Sequence, residues 1–285
     1  MDWGLVRLLG CAVCAVWALV GYGLALAGAT RGQRAVRVTG RVVEVCPPAH
    51  GAAGTAGIPV VLAFPDPATG REHTLPYDGE HGMMLETAWI GREVTVLHPP
   101  GEPGRFKVAY SPEDGLTGRG WPHFAAFLLY AGLVTDTAIR HGYPWALLGG
   151  GAALTLFAAT ALPHELRVGR RESAQLATVV PVRAEVIAVT QTVQDYDDGP
   201  MTVHRLFVRF TTGGGTTVTA RLADPPKDPA RAFGGSVTLH YAPDDLTYLT
   251  LDPAAARRAV RRSLLFVIAL LLAATATTTT GALLL

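Results

Sequence analysis

The chain has 285 residues, with 24 Lys+Arg against 23 Asp+Glu and a formal net charge of +1. Hydrophobic residues make up 49% and charged residues only 16%, well short of the roughly 25% charged of soluble domains. The near-zero balance argues against a polyanion-binding role, so no nucleic-acid partner is expected, and three cysteines, two of them (Cys11 and Cys14) inside an apolar run, exclude a disulfide-stapled fold.

The first element is that run, LLGCAVCAVWALVGYGLALAG at 8–28. It meets the roughly 20 apolar residues needed to cross a hydrocarbon core of about 30 Å. Its length also exceeds the roughly 7–15 residues of a signal-peptide core, so it reads as a retained membrane helix despite the AGA at 27–29. Residues 31–112 follow as a first β-domain. VTGRVVEV (38–45) alternates apolar and polar side chains with the period of a strand. PVVLAF (59–64) ends on Phe64, PDPATG supplies a turn and REHTLPY (71–77) returns. GREVTVLHPP then opens on Gly91, and FKVAY (106–110) closes the set.

Residues 122–162 read as a transmembrane helical hairpin, with FAAFLLYAGLVTDTAI (124–139) and WALLGGGAALTLFAATAL (145–162) joined by the turn residues RHGYP. The alternative has one or both segments lying on the membrane surface. Asp136 is the ionisable group within the hairpin. At mid-bilayer an aspartate costs about 2.5–3.5 kcal/mol on insertion scales; here it sits near a helix end with Arg140 one turn on. An acid at that depth is a candidate functional residue.

Residues 174–253 repeat the first β-domain's pattern. PVRAEVIAV (181–189), HRLFVRF (204–210), TTVTARL (216–222), GGSVTLHYAP from Gly234 and TYLTL (247–251) stand in the same order as their counterparts, as in an internal duplication. Residues 263–285 form a last span. The expected fold class is therefore a mixed membrane protein, with about four transmembrane α-helices carrying two small all-β domains, each five-stranded and barrel-like. Domains this small bury little core alone, and tethering to one membrane concentrates them against each other.

The carriers of the repeated pattern are Gly40, Val42, Phe64, Gly91, Val94, Val96 and Pro100 in the first copy, and Val186, Phe210, Gly234, Val237, Leu239 and Pro243 in the second. A β-domain built on these positions resembles the bacterial membrane family called domain of unknown function 3592, here in two tandem copies. The second copy departs from the pattern at Ala184, where the first has Gly40. The resemblance implies flanking membrane helices and no established chemistry.

Chemistry-bearing residues are sparse. Cys46, His50, His73 and His81 are candidate metal ligands, because Cys46-x-x-x-His50 has workable spacing and two further imidazoles complete a tetrahedral set. The competing reading makes them ordinary strand and loop residues, and no cofactor is expected. QDYDDGP (194–200) lacks the spacing of a calcium loop and reads as a hairpin turn at Asp198-Gly199. There is no phosphate-binding, nucleophile-elbow or dinucleotide motif. Arginines flanking the spans set the sidedness. Arg31, Arg34, Arg37, Arg119, Arg167, Arg170, Arg171, Arg257, Arg258, Arg261 and Arg262 stand on the β-domain side, against Arg7 and Arg140 on the other. Both β-domains are thus expected in the cytoplasm, at the plasma membrane.

The expected role is non-enzymatic: a scaffold or accessory protein whose partners are the lipid bilayer and either another protein or a second copy. Two alternatives stay open, a regulatory subunit of a membrane transporter or protease complex, and a metal-dependent enzyme using Cys46 and the first domain's histidines.

Overall fold

The computed structural model describes residues 3–52, 57–79, 82–109, 120–196, 199–222 and 232–285. The chain divides into a helical unit (Met1–Gln33, Gly115–Ala174, Ala254–Leu285) and a β unit (Arg34–Asp114, Gln175–Pro253).

The helical unit holds α1 (Trp3–Leu26), α3 (Gly120–His141), α4 (Tyr143–Thr178) and α5 (Pro253–Leu283), with one short turn of helix, α2 (Arg31–Arg34), after α1. Three stretches, Gly4–Leu26, Tyr143–Thr178 and Pro253–Leu283, are long and apolar enough to cross a membrane. The fourth expected span is also helical, as α3, yet it falls outside that set. His123, Thr135, Asp136, Thr137, Arg140 and His141 dilute its apolar content.

α1 and α3 run antiparallel along each other. Arg7 reaches Asp136, Cys11 lies against Gly132, and Gly21 lies against Pro122. A Cβ at Gly132 would come within 2.9 Å of Cys11 Sγ, so the missing side chain is what lets the helices touch. Tyr22 Oη and His123 Nδ1 are 2.8 Å apart, and Trp17 meets Trp121 edge-on. α4 and α5 pair in the same antiparallel sense, Glu165 with Ser263 and Gly151 with Thr278. The threonines of α5 turn their hydroxyls onto carbonyls of their own helix, Thr277 onto Ala273 and Thr280 onto Ala276, which makes polar side chains tolerable in an apolar helix.

The β unit contains two sheets. The first is built from β1 (Val36–Val45), β2 (Val60–Pro65), β3 (Glu72–Tyr77), β5 (Glu93–His98) and β6 (Lys107–Val108), in the order β3-β2-β1-β5-β6. The second is built from β7 (Val180–Tyr196), β8 (Gly199–Thr211), β9 (Thr217–Leu222), β10 (Ser236–Ala242) and β11 (Asp245–Thr250). Its order is β11-β10-β7-β8-β9, the same arrangement, and the two-residue β4 (Thr87–Ala88) from the first region adds to its outer edge.

Alternation decides the facing. Val38, Gly40 and Val42 of β1 lie inward while Thr39 and Arg41 point out, and the core closes on Leu62, Phe64 and Val96. Burying each large side chain stabilises the fold by roughly 1.5–3 kcal/mol. Corresponding irregularities recur in the two sheets. The register shifts between Val42 and Glu44 on β1, and between Val186 and Ala188 on β7. At each shift a glycine with positive φ, Gly91 (89°) or Gly234 (72°), donates its N–H to the strand, to Val42 O at 2.8 Å or Val186 O at 3.1 Å. That conformation suits glycine and strains other residues, which explains why both repeated phrases begin as they do.

Candidate functional site

The sequence-derived candidates scatter. Cys46 follows β1, its amide bonded to Pro59 O at 2.9 Å, whereas His73 faces Phe64 across the β2–β3 ladder. Pro59 and Phe64 are five residues apart on an extended chain, roughly 16 Å, so Cys46 and His73 stand at opposite ends of β2. The Cys46 thiol has its pKa pushed up by burial first and by the neighbouring Glu44 carboxylate second, which favours the neutral thiol. His50 is engaged elsewhere: its Nδ1 accepts the Val189 N–H at 3.3 Å, and its ring stacks on Phe233 with centroids 3.8 Å apart. His81 lies outside the described residues, as does Asp198 of the expected turn, although β7 and β8 do pair as far as Tyr196 opposite Gly199. Among the described residues no group of three or more His, Cys, Asp and Glu side chains is placed to hold a metal ion.

The structure draws together a different set in the first sheet. His73 and His98 flank Phe64, with ring centroids 6.0 and 6.1 Å away. Buried Asp66 follows the end of β2. Its carboxylate accepts from the Thr69 hydroxyl at 2.8 Å and the Ala68 N–H at 3.0 Å. These two bonds, with smaller help from His98 and His73, hold its pKa below the usual carboxylate range. The cluster stabilises a turn: Asp66 also closes it through the bond from its own N–H to Arg71 O.

Asp136, the acid expected in the membrane, forms two ion pairs. Arg140 Nε lies 2.7 Å from Oδ2, and Arg7 Nε lies 3.5 Å from Oδ1. The pair to Arg140 stays within α3, while the pair to Arg7 ties α3 to α1. Asp136 thus links the two helices.

A further polar and apolar constellation is the seam between the two sheets. Phe207 and Ala188 of the second sheet are both fully buried, and they belong to the hydrophobic cluster of the first sheet together with Val42, Ile58, Leu62, Leu85 and Ala88. β4 pairs with β9, Thr87 opposite Ala220 and Ala88 opposite Thr219, and Arg221 N–H donates to Glu86 O at 2.7 Å. Arg221 Nη2 also meets the Glu86 carboxylate at 2.6 Å. On the other flank Gly51 N–H donates to Val189 O and Gln191 N–H to Ala52 O.

Arg92 anchors the seam. It is 8% exposed, and its Nη1 donates to the Thr87 carbonyl and to Thr87 Oγ1, while its guanidinium lies 5.1 Å from the Trp89 ring centroid. Burial pushes the guanidinium pKa down and Asp245 of the second sheet opposes that, so the charge keeps compensation inside a dry setting. Asp245 in turn accepts from Gln175 Nε2 at 2.8 Å.

One signal for this seam was present in the sequence. In HRLFVRF the core phase falls on Leu206, Val208 and Phe210, and Phe207 breaks it; in AEVIAV the run Val186-Ile187-Ala188-Val189 does the same. Unbroken apolar runs mark strands covered on both faces. Compared with protein-family models, with curated proteins and with solved structures, the chain matches none of them.

Proposed function

We propose that the chain is an integral membrane protein whose two polar regions are tandem copies of one small domain, fused into a single composite β unit that serves as a non-enzymatic interaction module at the membrane. The observation that carries this reading is the placement of Phe207 and Ala188 in the core of the first sheet. Support for tandem copies comes from the common strand order, the matching register shifts and the paired Gly91 and Gly234 contacts. The resemblance to the domain of unknown function 3592 rests on the motif residues alone.

The shared core also supports four crossings. Two chain segments that share a core lie on one side of a membrane, so α3 and α4 together cross an even number of times. With α4 long and apolar enough to span, this reading has α3 span as well, its Asp136 charge offset by Arg7 and Arg140. The arginine distribution favours the cytoplasm for the β unit.

Single cysteines at Glu102, Gly214 and Tyr143, in a background lacking the native three, test this with a membrane-impermeant maleimide on intact cells. Glu102→Cys and Gly214→Cys are expected to stay silent until lysis while Tyr143→Cys, in the α3–α4 turn, labels at once. Labelling of both β-unit sites in intact cells overturns the cytoplasmic assignment. Labelling of one alone overturns the composite unit, and a silent Tyr143→Cys overturns the four crossings. Stoichiometric metal lost on Cys46→Ala would replace the non-enzymatic reading with an enzymatic one.

A further inference from the structure

α4 is 36 residues long, about 54 Å as a helix, and a hydrocarbon core takes only about 30 Å of it. Its apolar part ends at Leu162 and that of α5 begins at Leu264. Beyond those points the two helices continue together as a polar pair, held by the Ser263 hydroxyl on Glu165 at 2.9 Å and by Val260 against Gly169.

Seven exposed arginines sit on this extension: Arg167, Arg170 and Arg171 on α4, and Arg257, Arg258, Arg261 and Arg262 on α5. The antiparallel register brings Arg167 level with Arg262 and Arg171 level with Arg258. Residues 257–262 rise by about 7.5 Å, so the seven guanidinium groups form one belt about as deep as a lipid headgroup layer. On α5 they recur at i, i+1, i+4 and i+5, with Arg258, Arg261 and Arg262 turned away from the face where Val260 and Ser263 meet α4. On α4 they likewise stand opposite Glu165 and Gly169. From 163 to 174 and from 252 to 263 the two segments carry these seven arginines against Glu165, Glu172 and Asp252, a local excess of four positive charges (7 − 3). On α5 only Ser263 separates the belt from the apolar segment, and on α4 residues 163–166 do.

We infer that this belt is a binding site for anionic phospholipid, taking the headgroup phosphates of the leaflet beside the β unit. Guanidinium groups match phosphate oxygens with two parallel N–H donors. A basic cluster next to a span draws anionic lipid, with each arginine strengthening the attraction roughly fivefold. The inference rests on reading α4 and α5 as spans, and its test in detergent does not depend on which side the β unit faces.

The full chain, purified in mild detergent, would be mixed with equal amounts of phosphatidylglycerol and phosphatidylcholine carrying identical acyl chains, and the retained lipids counted by native mass spectrometry. The wild type is expected to retain phosphatidylglycerol in preference. The variant R170Q/R171Q/R261Q/R262Q is expected to lose roughly tenfold or more of that preference, and each pair alone, R170Q/R171Q or R261Q/R262Q, part of it. The pairs keep the test open should the fourfold variant fail to fold. Equal retention of the two lipids by the wild type, an unchanged preference in the variants, or displacement of phosphatidylglycerol by excess inorganic phosphate would each overturn the inference.

Discussion

The two sheets share strand order, bulge position and glycine turn, yet they treat their outer edges differently. β9 of the second sheet accepts β4 as a further strand, and the Arg221 N–H makes the bond to Glu86 that seats it. β3 of the first sheet is the corresponding strand, and Pro76, opposite Val61, stands where Arg221 stands opposite Phe207. Proline has no N–H to offer, so β3 cannot take the same partner. One residue thus makes one edge a terminus and leaves the other a joint. The same ladder position separates the cores: Val61 is partly exposed, whereas Phe207 is fully buried in the neighbouring sheet's interior.

The largest test of this asymmetry is Phe207→Ala, expected to cost about 3–5 kcal/mol, against about 1 kcal/mol for Val61→Ala. Hydrogen exchange should show both sheets losing protection together in the Phe207 variant. Loss confined to the second sheet would mean that the cores are separable. Gly40→Ala comes next. Its new Cβ would lie 2.8 Å from Val96 Cγ2, an overpacking worth about 1–3 kcal/mol. Its counterpart Ala184 already carries a buried Cβ, so Ala184→Gly should cost only about 0.5–1 kcal/mol. Denaturant midpoints for the two exchanges would sharpen the comparison, and equal costs would dissolve it.

Arg221→Pro should copy the β3 arrangement onto β9, removing the bond to Glu86 at a cost of about 1–3 kcal/mol. The reverse change, Pro76→Val, should leave overall stability nearly untouched while raising self-association through the opened edge, read by sedimentation in detergent. The smallest effect concerns pH. Asp66 stands after β2 where Thr212 stands after β8. Because its folded pKa lies below the unfolded value, near 3.9, its hydrogen bonds contribute fully above that pH and are lost as pH falls through the folded value. Asp66→Thr should flatten the acid limb of the stability curve; an unchanged limb would assign it to other carboxylates.

Much of the fold was legible because alternation and turn residues declare strands. All ten strands expected from the pattern exist, with ends shifted by a few residues. β4 escaped because two residues carry no period. The outer part of the β7–β8 hairpin, TQTVQDY facing GPMTVH, escaped because polar composition reads as loop even where a ladder forms. α3 reads as a span from its short apolar run and the turn residues after it, although Asp136 and Arg140 dilute its apolar content. Its case rests on the Arg7 pair and the shared core, both of them tertiary facts. The placement of the metal candidates was likewise hidden from the sequence. Spacing along the chain brought Cys46 and His50 close, but β2 separates His73 from Cys46 by its own length. The seam's polar anchor, Arg92, carried no signal, since a lone arginine beside a glycine reads as surface.

A shared interior built from two stretches of chain has a consequence for synthesis. Phe207 is made about a hundred residues after Val108, the last buried valine of the first sheet, and the α3–α4 hairpin lies between them in the chain. At ribosomal speed the first sheet therefore waits roughly 5–20 s for the side chain that closes it. During that interval its exposed interior is open to chaperones and proteases. A hairpin inserted the wrong way would strand Phe207 across the bilayer and leave the interior open permanently. On the four-crossing reading, closure of the β unit therefore requires that the hairpin be inserted correctly.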